Sequence, residues 1–141
     1  MGYNIREELD ILKKFNINMY EKDFLLTWEK SEEELKALLH TARILKEMHR
    51  TGISTKVFET GLGISIFRDK STRTRFSFAS AVNALGLGLA DIDEEKTQIS
   101  HGETVRETAN MISFLADVIG IRDDMYIGFG DKYQREVSQA V

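Results

Sequence analysis

The chain has 141 residues, 42% hydrophobic and 30% charged, with a net charge of −4 at pH 7. That is a globular composition, long enough to bury a core without staples, and neither disordered nor fibrous. The acidic balance speaks against a general nucleic-acid binder, the absence of cysteine excludes a disulfide scaffold or thiolate zinc site, and three histidines leave little for a metal.

The N-terminal MGYNIREELD is charged from Arg6 onward and has no apolar signal core, and no stretch reaches the roughly 20 apolar residues of a membrane helix. No membrane partner and a cytoplasmic location are therefore expected. Ile5, Leu9, Leu12 and Phe15 recur at helical spacing and predict a short amphipathic helix over 5–15. Ser31 and Glu34 form a capping-box pattern ahead of Leu35, Leu38, Leu39, Ala42 and Leu45. That helix should stop at the glycine of Arg50-Thr51-Gly52, with His40 and His49 on its exposed side. Then the texture changes. Val57-Phe58 and residues 64–67 are short β-prone runs around Gly61 and Gly63. After a polar turn, Phe76, Ala79, Val82 and Leu85 share a helical face. Residues 87–92 read as a strand, and 102–116 as a helix with Val105, Ala109, Ile112 and Leu115 or Ala116 inward. Residues 117–121 read as a third strand, and a helical stretch begins at Asp131. Alternating units of this length predict an α/β fold, a parallel sheet flanked by helices, in one domain without repeats or an internal linker.

Several familiar motifs fail. GLGIS at 61–65 opens like a dinucleotide loop, but Ile66 stands where the third glycine belongs. Asp91-Ile92-Asp93-Glu94-Glu95 opens like a calcium loop, yet Lys96 occupies its glycine position and Gly102 its glutamate position, so it reads as an acidic solvated turn. His101 and Glu103, two apart, share no helical face.

What remains is Ser71-Thr72-Arg73-Thr74-Arg75, set between an apolar strand and an amphipathic helix. A helix N-terminus presents unpaired N–H groups and the positive end of its dipole, and so attracts an anion. Three hydroxyls add donors, and a guanidinium adds a planar fork suited to phosphate. The carboxyl end of a strand is also where open α/β sheets hold ligands. Arg73 and Arg75, two apart, cannot both reach one ligand from a regular helix, so one of them should be structural. Arg122 closes the apolar strand before it and points to the same sheet edge. The plainer alternatives are a helix cap with solvated arginines, and for Arg122 a surface pair with Asp123 or Asp124.

The run FRDKSTRTR at 67–75 resembles the carbamoyl-phosphate loop of the aspartate and ornithine carbamoyltransferases. TQISHGET at 97–104 resembles the ornithine-type segment Ser-Gln-Ile-Gly-His-Lys-Glu-Ser, and Glu107-Thr108-Ala109 and Ile121-Arg122 resemble the following helix and strand-end arginine. GLGISIFRDKSTRTRFSFASA and HGETVRETANMISF are most similar to the knotted branch of the family, whose acceptor is uncertain. The resemblance implies transfer of a carbamoyl group from carbamoyl phosphate to an amine acceptor, amino-acid-like, with release of phosphate and with neither metal nor organic cofactor. Ser71, Thr72, Arg73 and Thr74 would hold phosphate, and Thr74 and Arg122 would reach the carbonyl oxygen. Gln98 would enter a neighbour's site across a homotrimer interface. A solvated loop is its plainer reading. The family also uses a His-Pro-x-Gln segment, and this sequence has no proline. The chain is therefore expected to be the N-terminal carbamoyl-phosphate-binding domain of a two-domain protein, with the acceptor site and the knot in a second domain. The alternative is a non-catalytic paralogue that binds carbamoyl phosphate or phosphate as a sensor or oligomer scaffold.

Overall fold

The computed structural model describes residues 2–68, 71–92, 104–123 and 130–141. It divides into two compact units, Met1–Thr55 and Lys56–Val141.

In the first unit, α1 (Ile5–Leu12) begins at Asn4, whose side chain accepts from the N–H groups of Arg6 and Glu7. A 3-10 turn (Thr27–Glu29) precedes α2 (Glu32–Arg50). The Ser31–Glu34 capping box forms as expected: the serine hydroxyl accepts from Glu34 N–H, and the glutamate accepts from Ser31 N–H at 2.8 Å. The packed stripe differs from the expected one. Leu9, Leu38 and Leu39 are exposed, while Glu8, Ala37, Ile44 and Glu47 are buried. His40 is not on the exposed side: its Nδ1 bonds Glu8 Oε2, and Arg43 lies 3.8 Å from the same carboxylate. Two polar side chains can occupy a seam between helices when each satisfies the other, and apolar periodicity alone cannot register that substitution.

The second unit holds a three-stranded parallel sheet in the order β2-β1-β3. Its elements are β1 (Leu62–Phe67), α3 (Thr72–Leu85), β2 (Gly88–Ile92), α4 (Val105–Ser113), β3 (Val118–Arg122) and α5 (Gly130–Ser138). Successive strand residues face opposite sides of a sheet. On one side Ile64 and Ile66, with Ala90, Ile92, Ile119 and Ile121, pack against Ala109 and Ile112 of α4 and Tyr133 and Val137 of α5. On the other side lies α3. Phe78 meets Phe67 edge-to-face at 5.4 Å, and a Cβ at Gly120 would stand 2.4 Å from the Phe78 ring. The glycine in β3 thus gives α3 its close approach.

Two local expectations change here. Val57-Phe58 is not a strand and is exposed. Phe76 is 72% exposed, and Phe78 takes the inward place with Val82. Of the pair Leu115 or Ala116, it is Ala116 that packs inward, as one of the two expected alternatives, while Leu115 is exposed.

Candidate functional site

The β1–α3 connection leaves the carboxyl edge of the central strand, where Phe67 pairs with Arg122 of β3. Arg68 N–H donates to Arg122 O at 2.9 Å and carries the pairing one residue further. This brings the first turn of α3 and the end of β3 to one place.

Ser71 is the N-cap of α3; its hydroxyl accepts from Thr74 N–H at 3.4 Å and lies 3.0 Å from Thr74 Oγ1. Arg122 Nη1 donates to the same Thr74 oxygen. Ser71, Thr74 and Arg122, grouped from sequence, therefore form one connected set. Thr72 and Arg73 stand exposed on the same turn, and Arg73 has no ion-pair partner among the described residues. Gln98, the segment 97–103 with His101, and Asp69, Lys70 and Asp124 lie outside the described residues.

Arg75 is the structural arginine of the pair. Its Nη1 bonds Asp91 Oδ2, and Nη2 donates to Phe67 O at 2.7 Å. Asp91 is consequently no solvated turn residue: it belongs to β2, and its other oxygen accepts from Ser65 Oγ. Arg68 Nη1 meets Asp123 Oδ2 at 2.9 Å, and the guanidinium lies 4.7 Å over the Tyr133 ring. Sequence reading missed Asp91 as an anchor and the Arg68–Asp123 pair. The available signal was Ser65, a polar residue inside the apolar run ISIF, in register with Asp91.

Electrostatically, α3 differs from the other described helices. First turns of α1, α2, α4 and α5 carry Glu or Asp, whereas that of α3 carries none. At α4, Glu107 closes a capping box with Thr104 and so occupies that terminus with its own carboxylate. Among the described residues no acidic side chain lies in the first turn of α3, so its positive end, with Arg73 beside it, can receive an external anion. No group of three or more His, Asp or Glu suited to a metal occurs among the described residues, and no described helix is long and apolar enough to cross a membrane.

Residues 22–140 match the family model for the carbamoyl-P binding domain of aspartate/ornithine carbamoyltransferase. The chain belongs to this carbamoyltransferase family. It is 60% identical over 141 residues to YgeW of Escherichia coli (strain K12), provisionally named a carbamoyltransferase, covering 100% of this chain and 36% of that protein. It is 39% identical over 101 residues to the ornithine carbamoyltransferase of Methanospirillum hungatei JF-1, covering 72% of this chain and 33% of that one. Ornithine carbamoyltransferase from Pyrococcus furiosus superimposes with a TM-score of 0.77 at 27% identity, over 89% of this chain and 38% of that one. The chain thus spans about a third of the length of the relatives it matches. The α/β carbamoyl-phosphate-binding fold expected from the sequence is the fold observed.

Proposed function

We propose that this chain is the carbamoyl-phosphate-holding domain of a carbamoyltransferase, and that a second domain holds an amine acceptor resembling an amino acid. In the reaction the acceptor nitrogen forms a bond to the carbonyl carbon of carbamoyl phosphate. Negative charge collects on the carbonyl oxygen, the bond from that carbon to the phosphate oxygen breaks, and the proton lost by the amine goes to the departing phosphate. The demand on the protein is to hold a dianion and to stabilise the developing oxyanion. Ser71, Thr72, Arg73 and Thr74 hold the phosphate, with Arg73 as its main charge partner. Thr74 and Arg122 donate to the carbonyl oxygen. Gln98 completes the site from a neighbouring subunit of a homotrimer, since an amide can donate to the ligand without adding charge. A dianion does not cross a bilayer unaided, so the reading takes the cytoplasm, where the anion would be made, as the location.

The observation that carries this reading is the Arg122–Thr74 bond, which ties a strand-end guanidinium to the hydroxyl-rich turn beside Arg73. Phosphate release from carbamoyl phosphate, measured on the full-length protein across amino acids, ureido compounds and diamines, tests it. Release dependent on one amine supports the reading. Carbamoyl phosphate binding without release by any amine favours the sensor alternative, and no binding of either carbamoyl phosphate or inorganic phosphate contradicts both.

A further inference from the structure

We infer that Asp91 is a positioning residue for the anion site: by gripping Arg75 and Ser65 it fixes the first turn of α3 against the ends of β1 and β2. The inference rests on the carbamoyl-phosphate reading above.

Arg75 sits in the same helical turn as Arg73 and Thr74, and its guanidinium reaches two strands at once. One nitrogen bonds Asp91 of β2, and the other donates to the carbonyl of Phe67, the last residue of β1. Asp91 is itself held from behind. Its second oxygen accepts from the hydroxyl of Ser65, its register partner on β1, which is 3% exposed. Three elements, β1, β2 and α3, are thereby tied through one carboxylate. The Arg75 and Asp91 side chains are 34% and 41% exposed, and pairs so wet contribute little to stability. Their consequence is geometric. A supporting contact behind a binding group sets whether that group meets its ligand in the productive geometry.

The sign of the effect separates this role from simple electrostatics. Asp91 is an anion near an anion site, so neutralising it should tighten carbamoyl phosphate binding if charge alone mattered. If Asp91 positions the turn, neutralising it weakens binding.

The test is calorimetry with carbamoyl phosphate on the full-length protein, comparing wild type, Asp91→Asn, Ser65→Ala, Arg73→Ala and the Asp91→Asn/Arg73→Ala double variant. Asp91→Asn should raise Kd about tenfold while moving the melting midpoint by less than about 4 °C. In turnover the loss should appear in KM for carbamoyl phosphate, with kcat within about threefold. Arg73→Ala should cost less in the Asp91→Asn background than in wild type, because a displaced turn already misplaces Arg73. Unchanged or tighter binding by Asp91→Asn, alongside weakened binding by Arg73→Ala, overturns the positioning role and leaves the site reading intact. Unchanged binding by Arg73→Ala overturns the site reading and this inference with it. Should Asp91→Asn fail to fold, Ser65→Ala decides by the same comparison: about threefold weaker binding supports the role, and unchanged binding overturns it.

Discussion

Arg122, the last residue of β3, donates from its guanidinium to the hydroxyl of Thr74, on the first turn of α3. The two are 48 positions apart in sequence and meet because β1 and β3 are parallel neighbours with Phe67 opposite Arg122. If both donate to the carbonyl oxygen in the transition state, they act as one unit. Thr74→Val, which keeps shape but loses the hydroxyl, and Arg122→Ala should each lower kcat by about 10²–10³. The double variant should lose much less than the product of the two. Steady-state kinetics decide it, and a multiplicative loss would mean the residues act separately.

Gly86 ends α3 in the left-handed conformation at φ 99°, and a Cβ there would lie 2.0 Å from the carbonyl oxygen of Phe58. Backbone has nowhere to move, since Phe58 N–H also donates to Leu85 O at 3.0 Å. Gly86→Ala should destabilise the protein by at least about 2 kcal/mol, combining left-handed strain with overpacking. Urea unfolding measures this, and a loss below about 0.5 kcal/mol, the scatter of ordinary surface changes, would contradict it.

The strand–helix alternation of 62–138 was legible because each element combines a clean period with its own stop: Ser71 and Gly86 bracket α3, and Thr104 with Glu107 opens α4. The grouping of Ser71 and Thr74 in the candidate site was legible for the same reason, since hydroxyls, an N-cap and a strand end coincide in one short run. What escaped was pairing between distant polar residues. Nothing local marks Asp91 as the partner of Arg75 rather than the start of an acidic turn, nor Glu8 as the partner of His40. Those assignments depend on register and on which helix lies above, and hydrophobic periodicity carries neither.

Stability should fall on acidification. Glu34 and Glu107 are held below the ordinary value of 4.5, first by the backbone N–H of Ser31 and of Thr104, then by their hydroxyls. Glu47 is lowered chiefly by Arg50, with burial opposing. A depressed folded value means stability present above the ordinary carboxylate range and lost as pH drops through the folded value. Replacing Glu34 and Glu107 together by Gln keeps the capping boxes but removes the titration. Urea midpoints of the wild type should therefore fall more between about pH 7 and pH 3.5 than those of the double variant. Equal falls would show that these caps do not carry the acid sensitivity.

If Gln98 serves a neighbouring subunit's site, Gln98→Ala and Arg73→Ala subunits should complement each other. A mixed trimer can contain a site with both residues intact, although neither parent trimer has one. Co-refolded mixtures should regain a substantial fraction of wild-type activity. Activity no greater than the sum of the parents, with mixed trimers verified by mass, would put Gln98 in its own subunit's site or in none.

The central claim is that the α3 terminus holds carbamoyl phosphate through Arg73, the exposed arginine of its first turn. Removing it leaves Arg122 at the carbonyl oxygen but only hydroxyls and amides around the phosphate, and hydrogen bonds to charged groups contribute about 1.5–3 kcal/mol each. Calorimetric titration of carbamoyl phosphate into the full-length protein and its Arg73→Ala and Arg73→Lys variants is the most direct measurement. Arg73→Ala should weaken binding by at least about tenfold, and Arg73→Lys should fall short of wild type because it lacks the bidentate fork. An unchanged dissociation constant for a folded Arg73→Ala protein would contradict the claim.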